Sequence, residues 1–159
     1  MKRTAGILMP ISSLPSKYGI GCFSKDAYEF VDFLYRAGQS IWQILPLCPT
    51  SYGDSPYQSP SSFAVNPYFI SPDELLAIGL LKTEECERYS ADTPDGRIDY
   101  GSLYKKRYPL LRIAYRRFSQ TEKPNEYYRF VEKNRYWLDD HALFCAIKSL
   151  IFAKSALFF

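Results

Sequence analysis

The sequence contains few of the residues that build metal and redox sites. It has one histidine, His141, and four cysteines, at positions 22, 48, 86 and 145, with no CxxC pair. Structural zinc sites and redox motifs use cysteine and histidine ligands at short, fixed spacings. The sequence therefore predicts neither a metal nor a cofactor.

A secretory signal is not expected either. The apolar run that follows the basic start of the chain is short, contains Gly6 and stops at Pro10, whereas a signal peptide needs an uninterrupted apolar stretch of about 7–15 residues. Residues 4–9 are instead expected to form a buried first strand. Without a signal, the four cysteines are expected to stay reduced, as in a cytoplasmic protein.

The chain has no large excess of one charge and no long hydrophobic run. Its formal net charge is +3 and 23% of its residues are charged, as in ordinary globular proteins. The most apolar segment, residues 142–159, is interrupted by Lys148 and Lys154 and is short for a span of about 20 residues, so no membrane is expected as a partner.

Nucleic acid is not expected as a partner either. The densest basic stretch alternates with apolar residues along a predicted helix, which favours a solvated helix face over a phosphate-binding patch. That stretch consists of Lys105, Lys106, Arg107, Arg112, Arg116 and Arg117.

Aromatic residues and proline are abundant by contrast. The 159 residues include 14 Tyr, 11 Phe and 2 Trp, together 17% of the chain, and 11 Pro against 8 Gly. A chain of this length, with 47% hydrophobic residues, can build one domain with a sizeable core. The question is which of its aromatic residues belong to that core.

The first 45 residues predict a βαβ unit. A strand at 4–9 is followed by a Ser-, Pro- and Gly-rich loop at 10–23, a helix between an N-cap at Ser24 and a C′ glycine at Gly38, and a second strand at 40–45. Such a unit implies parallel strands and an α/β fold.

The rest of the chain predicts one long loop and then helices. Residues 46–70 show neither helical nor strand patterning, a capping box at Ser71 opens a helix that ends near Gly79, and residues 82–99 are polar and rich in turns. Two longer helices are expected at about 102–118 and 125–150. The predicted segments are 1–70 for the βαβ unit with its loop, 71–148 for a mainly helical subdomain, and 149–159 for an atypical apolar tail.

The loop at 46–70 carries the best candidate binding residues. Ligands of parallel α/β folds bind at the carboxyl ends of the strands, and residues 52–59 of this loop read YGDSPYQS. Tyrosine rings suit the C–H face of a sugar, and Asp54, Ser55 and Gln58 could reach its hydroxyl groups. A packed loop whose aromatic residues cover the rim of the fold is equally compatible with the composition.

Several motifs, in one order along the chain, closely resemble the start of amylomaltase, the bacterial 4-alpha-glucanotransferase or disproportionating enzyme of glycoside hydrolase family 77. They are residues 11–21 (ISSLPSKYGIG), 42–50 (WQILPLCPT), 52–59 (YGDSPYQS), 66–67 (NP), 97–104 (RIDYGSLY) and 137–144 (WLDDHALF). The resemblance covers about residues 4–148.

The resemblance implies an α/β fold that is the N-terminal part of an α-amylase-superfamily (β/α)8 TIM barrel with a helical insertion subdomain. The barrel is expected to be incomplete, because a whole one takes about 250 residues. The implied activity is transfer of α-1,4-glucan segments between maltooligosaccharides by a retaining double displacement. Maltooligosaccharides or α-1,4-glucan are accordingly the expected ligands.

The resemblance also assigns binding roles to single residues. Ser55, Pro56 and Tyr57 match the family residues that border the central subsites, with Tyr57 stacking on the sugar next to the cleaved bond. Tyr52 and Tyr104 match two tyrosines that form a secondary glucan site in some members.

No catalytic residue is assigned in this chain. Retaining transfer needs two carboxyl groups about 5–5.5 Å apart. Asp54 has no identifiable partner, whereas Asp99 and the pair Asp139 and Asp140 lie outside the strand-end loops. In the family, the catalytic carboxylates come from later barrel strands, so the chain alone is expected to be inactive.

Two alternatives stay open at this point. The chain could be a free-standing glucan-binding module, or the non-functional product of a disrupted gene. Its last residues, after Lys148, depart from the family pattern and point to the second alternative.

Overall fold

A short parallel sheet begins the fold. The computed structural model describes residues 3–51, 54–91 and 96–155. Strand β1 (Gly6–Leu8) pairs in parallel with β2 (Ile41–Gln43), in the register Gly6 to Ile41. Helix α1 (Lys25–Arg36) lies between them in the chain. The prediction of a parallel βαβ unit is confirmed, with strands shorter than expected.

The prediction that the first strand is buried is wrong. All three residues of β1 are exposed, and Ile7 and Leu8 keep 40% and 58% of their surface accessible. Parallel strands are normally covered on both faces by neighbouring strands and helices. Within the described residues the sheet has two strands only, so most of that cover is missing.

Local signals place the ends of α1 where the sequence predicts them. Ser24 is the N-cap residue, although its hydroxyl donates to the carboxylate of Asp26 (3.0 Å) instead of accepting a backbone N–H. Gly38 follows the helix with φ +69°. That left-handed conformation is the one a glycine at C′ adopts without strain.

The middle of the chain contains two short helices. Helix α2 (Pro72–Ala77) begins as predicted at Ser71, whose hydroxyl accepts from the backbone N–H of Glu74 at 3.3 Å. Helix α3 (Thr83–Arg88) lies in the segment predicted to be turn-rich. Its start is capped because the Glu85 carboxylate accepts from the backbone N–H of Lys82 at 2.9 Å.

Two long helices end the described chain. Helix α4 (Tyr100–Gln120) and helix α5 (Asn125–Ser155) both extend beyond the predicted bounds. Among the residues that the structure describes, no helix combines the length and the apolar character needed to cross a membrane. Many large apolar side chains of α5 are exposed, among them Leu143 and Leu150.

The core consists of two clusters that tie the loops to α4. The first joins the loop after β1, α1, the end of the long loop and α4. Its buried members are Ile11, Leu14, Ile20, Ala27, Tyr68, Phe69 and Leu103. The second joins the loop after β1 to α3 and the middle of α4, through Tyr18, Leu81, Cys86, Leu110 and Ala114. Both clusters therefore depend on one face of α4.

The buried face of α4 includes a charged residue, and this overturns part of the expected solvated basic face. Arg107 is only 2% exposed and lies on the same face as Leu103 and Leu110. Its guanidinium donates to the carbonyl oxygens of Ile70 (2.9 Å) and Tyr18 (3.5 Å). A long side chain that satisfies two buried carbonyl groups explains why a cation is tolerated there.

Two further residues of the basic stretch also form hydrogen bonds within the folded chain. The ammonium of Lys106 donates to the carbonyl oxygen of Ser90 at 2.6 Å. Arg117 donates two hydrogen bonds of 2.6 Å to the carboxylate of Glu85, and another of 3.0 Å to the carbonyl oxygen of Leu80. Half of the predicted solvated face therefore holds the fold together, and Lys105, Arg112 and Arg116 remain exposed.

Candidate functional site

The loops that follow the two strands meet at one cavity. Pro10 and Ser12 come from the loop after β1, while Leu45 and Leu47 come from the residues after β2. The carboxyl ends of parallel strands point to the same edge of a sheet, which is where the sequence predicted a ligand. The cavity holds about 170 Å³, less than the roughly 300–1,000 Å³ of an ordinary ligand pocket. It can therefore take part of an oligosaccharide but not the whole.

The aromatic loop closes one side of this cavity. Asp54 and Pro56 line it, Ser55 is half-buried, and Tyr57 is 73% exposed. The loop is turned back by hydrogen bonds from the N–H of Gln58 to the carbonyl oxygen of Ser55 (3.1 Å) and from the N–H of Tyr57 to the Ser55 hydroxyl (3.3 Å). The turn leaves the ring of Tyr57, the residue after the cavity-lining Pro56, exposed at the surface, where a flat apolar face can stack on a sugar.

Asp54 has an unusual backbone conformation. Its φ is +54°, and it is the one non-glycine residue with positive φ in the described chain. Aspartate tolerates this left-handed region better than most residues. Its N–H donates to the carbonyl oxygen of Ser51 at 3.1 Å, which fixes the residue at the edge of the cavity.

A cluster of four tyrosines lies next to the cavity. Tyr100, Tyr104 and Tyr108 are spaced by four residues along α4. The rings of Tyr100 and Tyr108 meet Tyr68 from the end of the long loop, and the ring of Tyr104 meets that of Tyr108. The ring centroids of Tyr68 lie 6.2 Å from Tyr100 and 5.7 Å from Tyr108, and those of Tyr104 and Tyr108 lie 4.9 Å apart. Tyr100 also lines the cavity, so the cluster and the cavity form one continuous site.

Burial raises the pKa of Tyr68, Tyr100 and Tyr108 and so favours their neutral form. Burial raises the pKa of Tyr100, and the negative charge of Asp54 adds to the effect. Burial also raises the pKa of Tyr68 and of Tyr108, with neighbouring tyrosines of the cluster contributing to both. Neutral phenol groups can donate hydrogen bonds as well as accept them, which suits recognition of hydroxyl groups.

The structure brings together most of the residues predicted to bind sugar. Asp54, Ser55, Pro56 and Tyr57 lie on one turn, and Tyr104 is exposed on α4 in the tyrosine cluster. Tyr52, the predicted partner of Tyr104 in a secondary glucan site, lies outside the described residues.

Sequence reasoning missed Tyr68 and Tyr100 as members of the site. A usable signal was present for Tyr100, because tyrosines at 100, 104 and 108 share one face of a helix. The predicted helix began at about residue 102 and therefore excluded the first of them. Tyr68 gave no such signal, since its contacts with α4 are tertiary.

The other candidate carboxylates are not among the residues that line the cavity. Asp99 is the N-cap of α4 and accepts from the backbone N–H of Ser102 at 3.0 Å. Asp139 and Asp140 are exposed on α5, outside the strand-end loops. Asp54 is the single carboxylate among the described residues that line the cavity. The described residues also contain no cluster of three or more His, Cys, Asp or Glu side chains suited to a metal ion.

Comparison with known proteins points to one family. The family model described as 4-alpha-glucanotransferase matches residues 9–156. Among curated relatives, the 4-alpha-glucanotransferase of Streptococcus pneumoniae serotype 4 is 48% identical over 147 residues, which cover 92% of this chain and 29% of that protein. The 4-alpha-glucanotransferase of Thermus thermophilus is 43% identical, over 93% of this chain and 29% of the relative.

A solved structure agrees with the sequence relatives. The amylomaltase of Streptococcus agalactiae, solved in complex with acarbose, superimposes with a TM-score of 0.87 and is 42% identical. The match covers 93% of this chain and 30% of that one. The chain thus spans less than a third of the length of the relatives it matches.

Proposed function

The chain belongs to the 4-alpha-glucanotransferase family, and from that premise we propose that it forms the N-terminal, glucan-binding part of such an enzyme. The observation that carries the proposal is the placement of the aromatic loop. Asp54 and Pro56 line the cavity at the carboxyl ends of β1 and β2, and Tyr57, the next residue of the loop, is exposed. The solved relative that was bound to acarbose, with 42% identity, supports a sugar ligand.

In this proposal each loop residue makes a different contact with the glucan. The exposed ring of Tyr57 stacks on one glucose unit, while Ser55 and Asp54 form hydrogen bonds with its hydroxyl groups. Pro56 limits the conformations of the loop, which lowers the entropy cost of ordering it around the ligand. Tyr104, with Tyr52, provides a second contact for a longer α-1,4-glucan.

The proposed reaction of the whole enzyme is transfer of α-1,4-glucan segments by a retaining double displacement. Strands β1 and β2 are proposed to be the first two strands of a (β/α)8 barrel whose later strands carry the nucleophile and the acid/base. Retaining transfer needs a second carboxyl group about 5–5.5 Å from the first, and Asp54 is the one carboxylate at the described cavity. The chain alone is therefore proposed to bind glucan without transferring it.

Incubation with maltotriose tests the claim of inactivity. The purified chain should leave maltotriose unchanged, whereas a full-length relative should produce glucose and longer oligosaccharides under the same conditions. Formation of glucose and maltopentaose by the chain alone, above a boiled control, would contradict the proposal.

A glucan-binding module that acts without catalysis is a second candidate, favoured by the tyrosine cluster of 68, 100, 104 and 108. Calorimetric titration with maltoheptaose distinguishes it. Heat of binding from the folded chain is expected for both candidates. The chain is then mixed with the remaining part of a relative's enzyme, and absence of transferase activity in that mixture would favour the module.

A cytoplasmic location is part of the same proposal. It is supported by four free thiols of the kind that persist in reducing compartments.

A further inference from the structure

Helix α5 carries a nucleophile and a base one turn apart. The thiol Sγ of Cys145 lies 3.6 Å from the imidazole Nε2 of His141, a distance at which the two groups share a hydrogen bond. In the tautomer that holds its proton on Nδ1, this nitrogen accepts the hydrogen bond from the thiol. A cysteine and a histidine in this arrangement form a pair that supports nucleophilic attack, because the imidazole can take the thiol proton.

The imidazole of His141 lies at the end of a short row of rings. Its centroid is 6.0 Å from that of Trp137, one turn earlier on α5. The Trp137 indole stacks on Phe63 of the long loop, with 5.9 Å between centroids and 19° between the planes, and its N–H donates to the side-chain oxygen of Asn134 at 3.0 Å. These contacts restrict the orientation of the base beside Cys145.

Cys145 is also the exposed thiol of the chain. The structure describes all four cysteines, and the other three are less accessible, since Cys22 and Cys86 are buried and Cys48 is half-buried. Burial raises the pKa of Cys22 and of Cys86, which favours their unreactive, protonated form. A reagent in solution therefore meets one exposed thiol with a base beside it.

The Cys145 thiol lies near the tyrosine cluster of α4. Burial raises the pKa of Tyr108, and the neighbouring Tyr104 and Cys145 add to the effect. Cys145 is thus close enough to the Tyr108 phenol to act on it electrostatically. The Tyr108 ring in turn lies 4.9 Å from the ring of Tyr104, the residue proposed to provide a second glucan contact. A group attached to Cys145 would therefore take up space beside that contact.

We propose that Cys145 is a modification site, at which the thiol exchanges with a low-molecular-weight disulfide and His141 acts as its base. The thiol proton passes to Nε2 of His141, and the Cys145 sulfur attacks one sulfur of the small disulfide. A new disulfide bond joins Cys145 to that sulfur, the old one breaks, and the leaving thiolate takes the proton from His141. The Cys145 sulfur is oxidised and the leaving sulfur is reduced, so the small disulfide is the only oxidant required.

The attached group hinders the second glucan contact. The tripeptide of glutathione, for example, is bulky and charged, and it covers surface beside Tyr108 and Tyr104. Exchange with a reducing thiol removes it again, so the effect is reversible. This consequence rests on the proposed glucan-binding function, whereas the exchange at Cys145 does not.

Oxidised glutathione tests the exchange on the full 159-residue chain. Peptide mass spectrometry follows the rate at which each cysteine forms a mixed disulfide. At pH 7, Cys145 should react at least about tenfold faster than any of the other three cysteines, because it combines exposure with an adjacent base.

His141→Gln separates the base from mere exposure. At pH 7 the variant should slow the reaction of Cys145 about tenfold, because a cysteine without a base is only a few per cent thiolate at that pH. At about pH 9.5, above the ordinary cysteine pKa of about 8.5, thiols ionise unaided, and the two rates should agree. Asp139→Asn, which removes a titratable group from an exposed position of the same helix, should react as the wild type does at both pH values.

Titration with maltoheptaose tests the effect on glucan binding. The chain carrying glutathione on Cys145 should bind maltoheptaose about threefold to tenfold more weakly than the reduced chain, and dithiothreitol should restore the affinity. Cys145→Ser, which cannot form the mixed disulfide, should keep its affinity after treatment with oxidised glutathione. Circular dichroism of each sample checks that the helices remain folded.

The outcomes separate the exchange from the function beneath it. If Cys145 reacts no faster than Cys48, or if His141→Gln reacts at the wild-type rate at pH 7, the exchange site is overturned. If Cys145 reacts as expected while modified and reduced chains bind maltoheptaose equally, the exchange stands and its effect on the glucan contact is wrong. If neither form binds maltoheptaose, the proposed function fails, and the reaction rates still decide on the exchange.

Discussion

The guanidinium of Arg107 donates a hydrogen bond of 2.9 Å to the backbone carbonyl oxygen of Ile70. This contact joins the buried face of α4 to the end of the long loop, beside Tyr68 and Phe69. A second bond, to the carbonyl oxygen of Tyr18, reaches the loop after β1. One side chain thus links both loops that form the candidate site to the helix that carries the tyrosine cluster.

Replacing Arg107 by methionine should destabilise the chain. The methionine fills similar space but leaves the carbonyl groups of Ile70 and Tyr18 without their donor, which costs about 1–3 kcal/mol. Urea unfolding followed by circular dichroism measures the change, with Arg112→Met on the exposed face of α4 as the control. Equal unfolding midpoints for the two variants would show that the buried bonds contribute nothing.

The pair formed by Glu85 and Arg117 should make stability depend on pH. Hydrogen bonds from Arg117 hold the pKa of Glu85 below its ordinary value, so the folded state favours the charged carboxylate. This contribution is present above the unfolded pKa of about 4.3 and is lost as the pH falls through the lower, folded pKa.

Glu85→Gln checks the sign of this effect. The variant should be less stable than the wild type at pH 7, and the difference should shrink as the pH falls below about 4. Unfolding midpoints measured between pH 7 and pH 3 give the comparison, and Glu29→Gln, at an exposed pair with Lys25, is the control. A difference that grows on acidification would contradict the pairing.

Gly21 should not tolerate a side chain. An added Cβ would overlap the carbonyl oxygen of Ile11 and lie 2.8 Å from the backbone nitrogen of Leu14. Gly21→Ala should therefore lower the free energy of unfolding by about 1–3 kcal/mol, as overpacking does. Thermal unfolding measures the loss. Gly101→Ala is the control and should show no such loss, because Gly101 is exposed and the nearest atom to an added Cβ, a carboxylate oxygen of Asp99, lies 3.4 Å away.

Tyr57→Ala should weaken glucan binding without changing stability. The ring is 73% exposed, so its removal takes away a stacking surface and little packing. Affinity for maltoheptaose should fall about threefold to tenfold, whereas Tyr57→Phe, which keeps the ring, should bind nearly as the wild type does. Calorimetric titration measures the affinity of each variant for maltoheptaose. Tyr35→Ala, which removes an exposed ring of α1, is the control. A large fall for Tyr35→Ala as well would point to a nonspecific effect.

The sequence predicts the parts of this fold that depend on local interactions. Ser24, Gly38 and Ser71 mark helix ends through their own backbone preferences and hydrogen bonds, and each lies where the pattern places it. Helix α3 was missed because its six residues are too few to show a period. The composition of the aromatic loop predicts a binding site there, and the motifs between residues 11 and 144 correctly indicated the family.

Tertiary contacts explain what the pattern could not show. The charge of Arg107 predicts an exposed side chain. It is buried because its guanidinium donates hydrogen bonds to the carbonyl oxygens of Ile70 and Tyr18, two residues far from it in sequence. The strand β1 has the composition of a buried strand, but burial depends on neighbours supplied by other elements. Tyr68 joins the candidate site through rings that lie 32 and 40 positions further along the chain.

The contacts of Tyr18 also set an order of events during synthesis. Its backbone forms a parallel bridge with Ala91 and accepts a hydrogen bond from Arg107, 89 positions later. Contacts this distant in sequence slow folding, because the entropy of closing the intervening chain is lost before the contact forms. The loop after β1 leaves the ribosome before α4, yet it can reach its final conformation only once α4 has been made.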